Sequence, residues 1–282
     1  MIRTLLIAAI SIALLPACKK EKSTDTTTSG EKPVFIGNNC SISQILTADS
    51  ATSIGFEAHN LFFNTGGLVS KVQIIDSLTS DLYVNENVTY KGDTIFVSKF
   101  GYFVKNSSGR IRLFRGPEDP TDPFSDSVDV NFTYNSAGFL SRADYNFTGI
   151  PVPLLRSTYT YTGSNLTKAK TDLLFPTVEA VITSDLTYSN QTVKNFIYTF
   201  PDAYYTYPFL PAFDFGNHPT NALQSVKTVF FDSGAAQDSL ITNYKNYKLS
   251  NDGYVLEFFA DGDYQDGMGI YFERTKFKYH CR

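Results

Sequence analysis

Aromatic and β-branched residues alternate with polar residues over most of the chain beyond residue 40. The segment NFTYNSAGFLSRADYNF, Asn131 to Phe147, has two such alternating runs on either side of a short polar turn that contains Gly138. Alternation with a period of two predicts β-strands, and a tight turn between two such runs predicts a β-hairpin.

Six segments share this plan of an alternating run, a polar turn and a second alternating run. They are Asn60 to Asp76, Phe100 to Gly116, Asn131 to Phe147, Ser157 to Leu173, Asp185 to Phe200 and Asn246 to Tyr264. Four of the turns have a glycine where a hairpin requires positive φ, namely Gly66, Gly109, Gly138 and Gly253. We therefore predict an all-β fold, an antiparallel β-meander of repeated hairpins that forms a large curved sheet or an open barrel. The alternative is a β-sandwich.

The composition supports a β-rich fold and narrows the choice of partners. The chain has 24 Phe and 18 Tyr but no Trp, and aromatic residues favour the pleated surface of a sheet. Its formal net charge is −4, and no segment forms a basic patch. Because binding to nucleic acid requires a cationic surface, we predict no nucleic-acid partner.

The N-terminus predicts export. Arg3 is followed by the apolar run TLLIAAISIALLPA, which is too short to span a bilayer and fits the core of a signal peptide over residues 1–17. The run ends at Leu15-Pro16-Ala17-Cys18, which resembles the lipobox of bacterial lipoprotein precursors. The resemblance implies cleavage before Cys18, acylation of that cysteine and attachment to a membrane through the lipid. The alternative is an ordinary secretory signal with an incidental cysteine.

A polar segment follows the cysteine. Residues 18–33 contain KKEKSTDTTTSGEKP, which has no apolar periodicity and predicts a disordered tether. Its start, Lys19-Lys20-Glu21, resembles the export tags of surface lipoproteins in the Bacteroidota. This resemblance implies a lipid-anchored protein of the cell outer membrane that faces outward rather than toward the periplasm. The remaining residues, 34–282, are predicted to form a single all-β hairpin-repeat domain.

The repeated segment carries a second resemblance. FTYNSAGFLSRADY resembles the YD (RHS-type) repeat, and more closely the tandem-hairpin outer-membrane lipoproteins of Bacteroidota whose function is unknown. The resemblance implies the hairpin architecture and brings no catalytic residues with it.

The cysteines predict one disulfide. If Cys18 is acylated, Cys40 and Cys281 remain, and two thiols in an oxidising compartment usually pair. The pair would require the first and last strands to be neighbours. The alternative is two buried free thiols.

The sequence contains no recognisable catalytic constellation. His59, His218 and His280 are widely separated and match no metal-ligand spacing, and the chain has no nucleophile elbow, phosphate loop or CxxC motif. The acidic segment Asp261 to Gly267 lacks the Gly and Glu positions of an EF-hand loop. We therefore predict no enzyme activity, no metal site and no cofactor.

The longest non-repeating segment is aromatic. Pro201 to Pro219 carries Tyr204, Tyr205 and Tyr207, whose rings on an exposed loop could bind a sugar or a protein partner. The alternative is a proline-broken loop that folds its rings over one end of the sheet.

A short triplet recurs as well. Asp followed by Ser or Thr and then a small or aliphatic residue resembles the O-glycosylation sequence of Bacteroidota. The resemblance implies modification at some of Thr26, Ser50, Ser77, Thr94, Ser127 and Ser239. The same triplet also favours Asx turns at the entry to strands, and the two interpretations are compatible.

These features together predict a lipid-anchored envelope protein that acts as a non-enzymatic binding or structural module for a glycan or another envelope protein. The alternative is a hydrolase, or an accessory subunit, that acts on an extracellular glycan or polymer.

Overall fold

The computed structural model describes residues 40–49, 55–117, 126–150, 152–174, 177–195, 206–262 and 273–281. These residues form sixteen β-strands and one 3-10 helix, Tyr207–Phe209. The strands are β1 (Cys40–Ala48), β2 (Gly55–Phe63), β3 (Val69–Asp76), β4 (Leu82–Lys91), β5 (Thr94–Val97), β6 (Gly101–Lys105), β7 (Ile111–Pro117), β8 (Ser127–Tyr134), β9 (Leu140–Phe147), β10 (Leu155–Thr162), β11 (Asn165–Leu173), β12 (Glu179–Thr192), β13 (Asn221–Asp232), β14 (Ala235–Leu249), β15 (Val255–Gly262) and β16 (Arg274–Cys281). The predicted signal peptide and tether, residues 1–33, and the lipidation residue Cys18 lie outside the described residues.

The strands form one closed antiparallel barrel. Each strand pairs with its neighbours in the sequence, and β1 pairs with β16 from Cys40 opposite Cys281 to Ala48 opposite Arg274. The predicted all-β antiparallel meander is confirmed. The predicted open edge and the alternative sandwich are wrong, because β1 and β16 satisfy each other's backbone N–H and C=O groups instead of leaving two edges exposed.

A disulfide joins the first and last strands, as the sequence predicts. The bond links Cys40 and Cys281, which are 241 positions apart and face each other in the β1–β16 register. We call the end of the barrel that holds this bond the terminal end. The turns that lead from even-numbered to odd-numbered strands lie at the same end, because the chain reverses direction at every strand.

Four turns at the terminal end share one hydrogen-bonding scheme. In the β8–β9 turn, the N–H of Asn135 donates to the carbonyl of Phe139 at 2.9 Å, and the N–H of Gly138 donates to the carbonyl of Asn135 at 2.9 Å. The Asn135 side chain also accepts from the N–H of Phe139 at 3.0 Å. The same scheme occurs at the turns that begin at Asn64, Asn106 and Ser250.

The glycine that requires positive φ is the fourth residue of these turns. Gly138 has φ of 83° there, and Gly109 and Gly253 occupy the same position, as predicted. In the β2–β3 turn the residue is Gly67, with φ of 70°, and not Gly66. The Asn64 carbonyl explains the difference, since it accepts from the N–H of Gly67, which makes Gly67 the fourth residue.

One predicted hairpin is absent. The copy at Asp185 to Phe200 should have turned near Asn190, but β12 continues without reversing to Thr192. The pairing of β12 with β13 is irregular between Tyr188 and Thr192. The polar residues that resemble a turn lie in this irregular part of β12. Pairing with β13 therefore keeps these residues in an extended strand.

Most of the side chains buried inside the barrel are apolar. In β8, Val128 and Val130 are fully buried, whereas the alternate residues Asp129 and Asn131 point outward. All sixteen strands contribute to a single buried apolar cluster. The inner face also carries buried polar side chains, with Ser157 bonded to Thr171 at 2.8 Å and Ser184 to Thr228 at 2.7 Å. The described wall is therefore mainly apolar on the inside and mainly polar on the outside.

Tyrosines fasten neighbouring strands near the terminal end. Four tyrosines on even-numbered strands donate to a carbonyl at or near the start of the preceding strand: Tyr90 to Val69 at 3.0 Å, Tyr134 to Ile111 at 2.5 Å, Tyr247 to Leu223 at 2.6 Å and Tyr279 to Val255 at 2.5 Å. These hydroxyls satisfy carbonyl groups in a part of the barrel where water is scarce, so the repeated tyrosine has a structural role.

Candidate functional site

A pocket of about 340 Å³ opens at the terminal end of the barrel. Its lining comes from the start of β1, the residues that follow β12, the segment 211–218, the β14–β15 turn and the end of β16. A volume of this size suits a small ligand, since such pockets usually measure about 300–1,000 Å³. Five separate parts of the chain therefore converge on one concave site.

The floor of the pocket belongs to residues 206–220, which we call the plug segment. Its rings of Phe209, Phe213 and Phe215 enter the barrel and pack on Phe103, with ring centroids 5.4, 5.0 and 6.3 Å apart. All of these rings are buried. The apolar interior therefore holds the plug segment in place, and Phe213 forms part of the pocket lining.

Backbone hydrogen bonds fix the polar part of the plug segment. The N–H of Ile111, at the start of β7, donates to the carbonyl of Asp214 at 2.8 Å. The Asp214 side chain accepts through Oδ1 from the N–H of Gly216 at 2.8 Å. Gly216 has φ of 101°, and a Cβ there would lie 2.7 Å from the carbonyl oxygen of Gly138. Only glycine, which has no Cβ, can come this close to the Gly138 backbone. This close contact sets the position of the neighbouring Asp214 in the pocket.

Lys194 forms a charged part of the opposite wall. Its backbone N–H donates to the carbonyl of Gly253 at 2.9 Å, which fastens the end of β12 to the β14–β15 turn. Its Nζ lies 5.0 Å from the ring centroid of Tyr254 and 3.9 Å from an oxygen of Asp252. The ammonium group is therefore held beside an aromatic ring and a carboxylate at the pocket.

Asn195 presents a buried amide to the same pocket. Its side chain is 8% exposed, and Oδ1 accepts from the N–H of Val255 at 2.7 Å. This bond fixes the orientation of the amide, so Nδ2 is the donor, and Nδ2 has no hydrogen-bond partner of normal geometry among the described residues. Burial raises the pKa of the neighbouring Tyr279, and the Asn195 amide offsets part of that rise.

His218 lines the pocket from the plug segment. Burial lowers its pKa below the usual 6.5, and the carboxylate of Asp214 offsets part of that shift. The imidazole is therefore neutral at neutral pH.

The lowered pKa of His218 predicts a loss of stability in mild acid. Below the ordinary pKa of about 6.5 the unfolded chain binds a proton at this residue more readily than the folded chain, so protonation favours unfolding. The contribution is fully present above that pKa and is lost as the pH falls toward the lower pKa of the folded state. Urea denaturation at about pH 7.5 and about pH 5.5 should show a smaller loss for His218→Gln than for the unsubstituted chain. Equal losses in the two proteins would contradict the prediction.

The structure describes one of the three tyrosines that were predicted to bind a ligand. Tyr204 and Tyr205 lie outside the described residues, and Tyr207 begins the 3-10 helix. The alternative interpretation of this segment holds for its described part, because Phe209, Phe213 and Phe215 turn inward and cover the end of the barrel. Binding by the tyrosines stays a prediction.

The predicted glycosylation residues fall into two groups. Thr26 and Ser50 lie outside the described residues. The other four are exposed or half-buried: Ser77, Thr94, Ser127 and Ser239. At Ser77 the expected Asx turn is present, since the side chain of Asp76 accepts from the N–H of Leu78 at 2.7 Å. Glycosylation itself stays a prediction.

Sequence reasoning missed the pocket residues Lys194, Asn195, Asp214 and Tyr254. None of them belongs to a local motif, and the barrel closure together with the plug segment brings them to one site. The sequence contains one indirect indication of this pocket, since His218 and Asp214 lie in the longest segment that breaks the hairpin pattern. The described residues contain no group of three side chains placed to hold a metal ion.

The fold matches that of two solved proteins. One is a porin-like protein from Bacteroides vulgatus, with 15% sequence identity, a TM-score of 0.52 and coverage of 85% of this chain and 98% of that chain. The other is a porin-like protein from Bacteroides uniformis, with 14% identity, a TM-score of 0.55 and the same coverage. At this identity the likeness shows a shared fold.

Neither of the two sequence comparisons adds to this result. No protein-family model matches the chain, and no curated protein matches it. Among the described residues, no helix has the length and apolar character to cross a bilayer.

Proposed function

We propose that this chain is a lipid-anchored outer-membrane protein whose barrel lies in water and serves as a non-enzymatic binding module. The observation that carries the proposal is the polar outer wall of a barrel whose interior holds a buried apolar cluster. The lipobox at Leu15 to Cys18 supports the anchor, and the porin-like description of the two Bacteroides neighbours supports a place in the cell envelope.

Ion pairs cross the outer wall between neighbouring strands. Asp144 on β9 lies 2.6 Å from Arg156 on β10, and Lys168 on β11 lies 3.0 Å from Asp185 on β12. Further pairs join Arg115 to Asp129, Lys245 to Asp261 and Arg274 to Glu257.

These charges suit water and not lipid. A transmembrane barrel presents an apolar band to the acyl chains, and each Arg or Lys near the midplane costs about 2–4 kcal/mol. Cross-strand pairs also occur between uncharged side chains, with Gln44 bonded to Asn60 at 2.6 Å. A wall of this kind gives the barrel no way to insert by itself, so a lipid on Cys18 would provide the attachment.

The interior supports binding rather than conduction. A channel of the porin kind needs a polar, water-filled lumen. Here an apolar cluster with members from every strand shares the inner face with buried Thr and Ser side chains that bond one another, and the plug segment covers the terminal end. The pocket therefore offers a ligand a site at the end of the barrel and not a path through it.

The pocket also favours binding over hydrolysis. Glycosidases of the common type use two carboxylates on either side of the bond that is broken. Among the described residues that line the pocket, Asp214 is the one carboxylate. Hydrolase activity therefore receives no support from this site.

Replacing the lipidated cysteine tests the anchor. We expect the unsubstituted chain to sediment with the outer membrane of the bacterium and Cys18→Ser to remain soluble, because several acyl chains on one residue supply the membrane affinity and the polar wall supplies none. Cell fractionation and metabolic labelling with a fatty acid measure the two effects. A Cys18→Ser protein that still sediments with membranes, or still incorporates the label, overturns the proposal.

Protease treatment of intact cells then tests which membrane face the barrel occupies. We expect the barrel to be cleaved or released without lysis, as the outward orientation requires. Cleavage only after the outer membrane has been broken would place the protein on the periplasmic face.

A further inference from the structure

We propose that the pocket at the terminal end binds a neutral, hydroxyl-rich ligand, namely a monosaccharide or the terminal sugar of a glycan. The inference rests on the proposed function as a binding module and adds the chemical class of the ligand. It is carried by the balance of charge in the pocket, by a buried amide that has no hydrogen bond of normal geometry among the described residues, and by apolar side chains in the lining.

The charges favour a neutral ligand. Lys194 is the cation of the pocket wall, and its ammonium group already has Asp252 at 3.9 Å. Asp214 adds a negative charge on the facing plug segment, and the half-buried His218 is neutral at neutral pH. An anionic ligand would meet Asp214, and a cationic ligand would meet Lys194. A neutral polar ligand avoids both repulsions.

The polar groups fit hydroxyls, which donate and accept at once. Asn195 Nδ2 lies near the Tyr279 hydroxyl but has no hydrogen bond of normal geometry among the described residues, so a ligand acceptor is favourable there. Lys194 offers a second donor. Asp214 uses Oδ1 for the N–H of Gly216, which leaves Oδ2 as an acceptor, and the His218 imidazole adds a further polar group to the lining.

Part of the lining is apolar. Ile42, Ala212 and Phe213 border the same pocket, so a ligand with hydroxyls on its edge and C–H groups on its face finds both kinds of surface. A pyranose ring has this distribution. The volume of about 340 Å³ limits the site to one or two sugar rings, which favours the end of a chain over its interior.

Ligand-observed NMR and calorimetry with the full chain in a sugar-free detergent test the proposal. The probes are glucose, galactose, mannose and N-acetylglucosamine, with glucuronate and inorganic phosphate as charged comparisons. We expect at least one neutral sugar to bind and both anions to bind more weakly or not at all. Oligosaccharides that end in the same sugar separate a free monosaccharide from a glycan terminus as the source.

Two variants locate the binding in the pocket. Lys194→Met keeps the side-chain length and removes the donor, and we expect about tenfold weaker binding. Ala212→Phe fills the pocket without removing a polar group, and we expect binding to be lost. Lys71→Met is the matched control, because Lys71 also lies near an aromatic ring, with Nζ 5.8 Å from Phe62, but on the outer wall. Its affinity should equal that of the unsubstituted chain.

The outcomes separate this inference from the proposed function. Binding of none of the neutral sugars, stronger binding of an anion, or equal affinity in Ala212→Phe each overturns the ligand assignment. None of these results concerns the anchor, which the Cys18→Ser fractionation tests by itself. If Ala212→Phe lowers the melting temperature, the Lys194→Met and Lys71→Met pair still decides the question.

Discussion

Replacing both Cys40 and Cys281 with serine lowers the free energy of unfolding by about 5 kcal/mol, and the melting temperature by roughly 10–20 °C. The physical reason is the length of the closed loop, since the bonded residues are 241 positions apart. The bond removes conformational entropy from the unfolded chain, and in the chain-entropy model this effect grows with loop length. Urea denaturation followed by circular dichroism measures the change.

The bond also acts on barrel closure. β1 and β16 pair antiparallel from Cys40 to Ala48, so the barrel still closes without the disulfide, but the pairing loses its covalent fastening at the terminal end. Treatment of the unsubstituted chain with a reductant should reproduce the effect of the double substitution. Cys18→Ser serves as the control and should melt as the unsubstituted chain does. A double variant with an unchanged melting temperature would show that strand pairing alone determines stability.

Replacing Phe103 with alanine destabilises the protein by about 3–5 kcal/mol. The side chain is fully buried on β6, and its ring lies 4.8 Å from that of Phe114 and 5.0 Å from that of Phe213, measured between centroids. Its removal leaves a cavity between the wall and the plug segment. Urea denaturation measures the loss of stability, and limited proteolysis measures whether the plug segment has become loose.

Phe96 provides the matched control for this prediction. It is on the adjacent strand β5, but its side chain is 42% exposed on the outer wall. Phe96→Ala should change the free energy of unfolding by no more than about 0.5 kcal/mol. Similar losses for Phe96→Ala and Phe103→Ala would mean that the inner and outer faces of the barrel have been assigned wrongly.

The hairpin pattern was readable from the sequence because its signals are local. Alternation reports which face of a strand is buried, and the Asn-x-x-Gly turns satisfy their own backbone groups within five residues. Both signals were present at Asn135 to Phe139, and the β8–β9 hairpin formed as predicted. The same logic failed at Asn190, because there the pairing with β13 outweighed a local turn signal.

The two cysteines indicated a contact between parts of the chain that are far apart in the sequence. A bond between Cys40 and Cys281 required the first and last strands to be neighbours, and they are. Sequence reasoning still left the sheet open. Closure depends on the combined tilt and register shift of all sixteen strands, and this total cannot be read from any single hairpin.

The sequence by itself indicated five of the hairpins, the antiparallel order and a bond between the two cysteines, since these follow from local periodicity, turn chemistry and the count of thiols. Only the tertiary structure decided that the barrel closes and that the plug segment enters it. It also decided that Lys194, Asn195, Asp214 and His218 meet in one pocket. These four residues come together through contacts between distant parts of the chain, and such contacts produce no periodic pattern in the sequence.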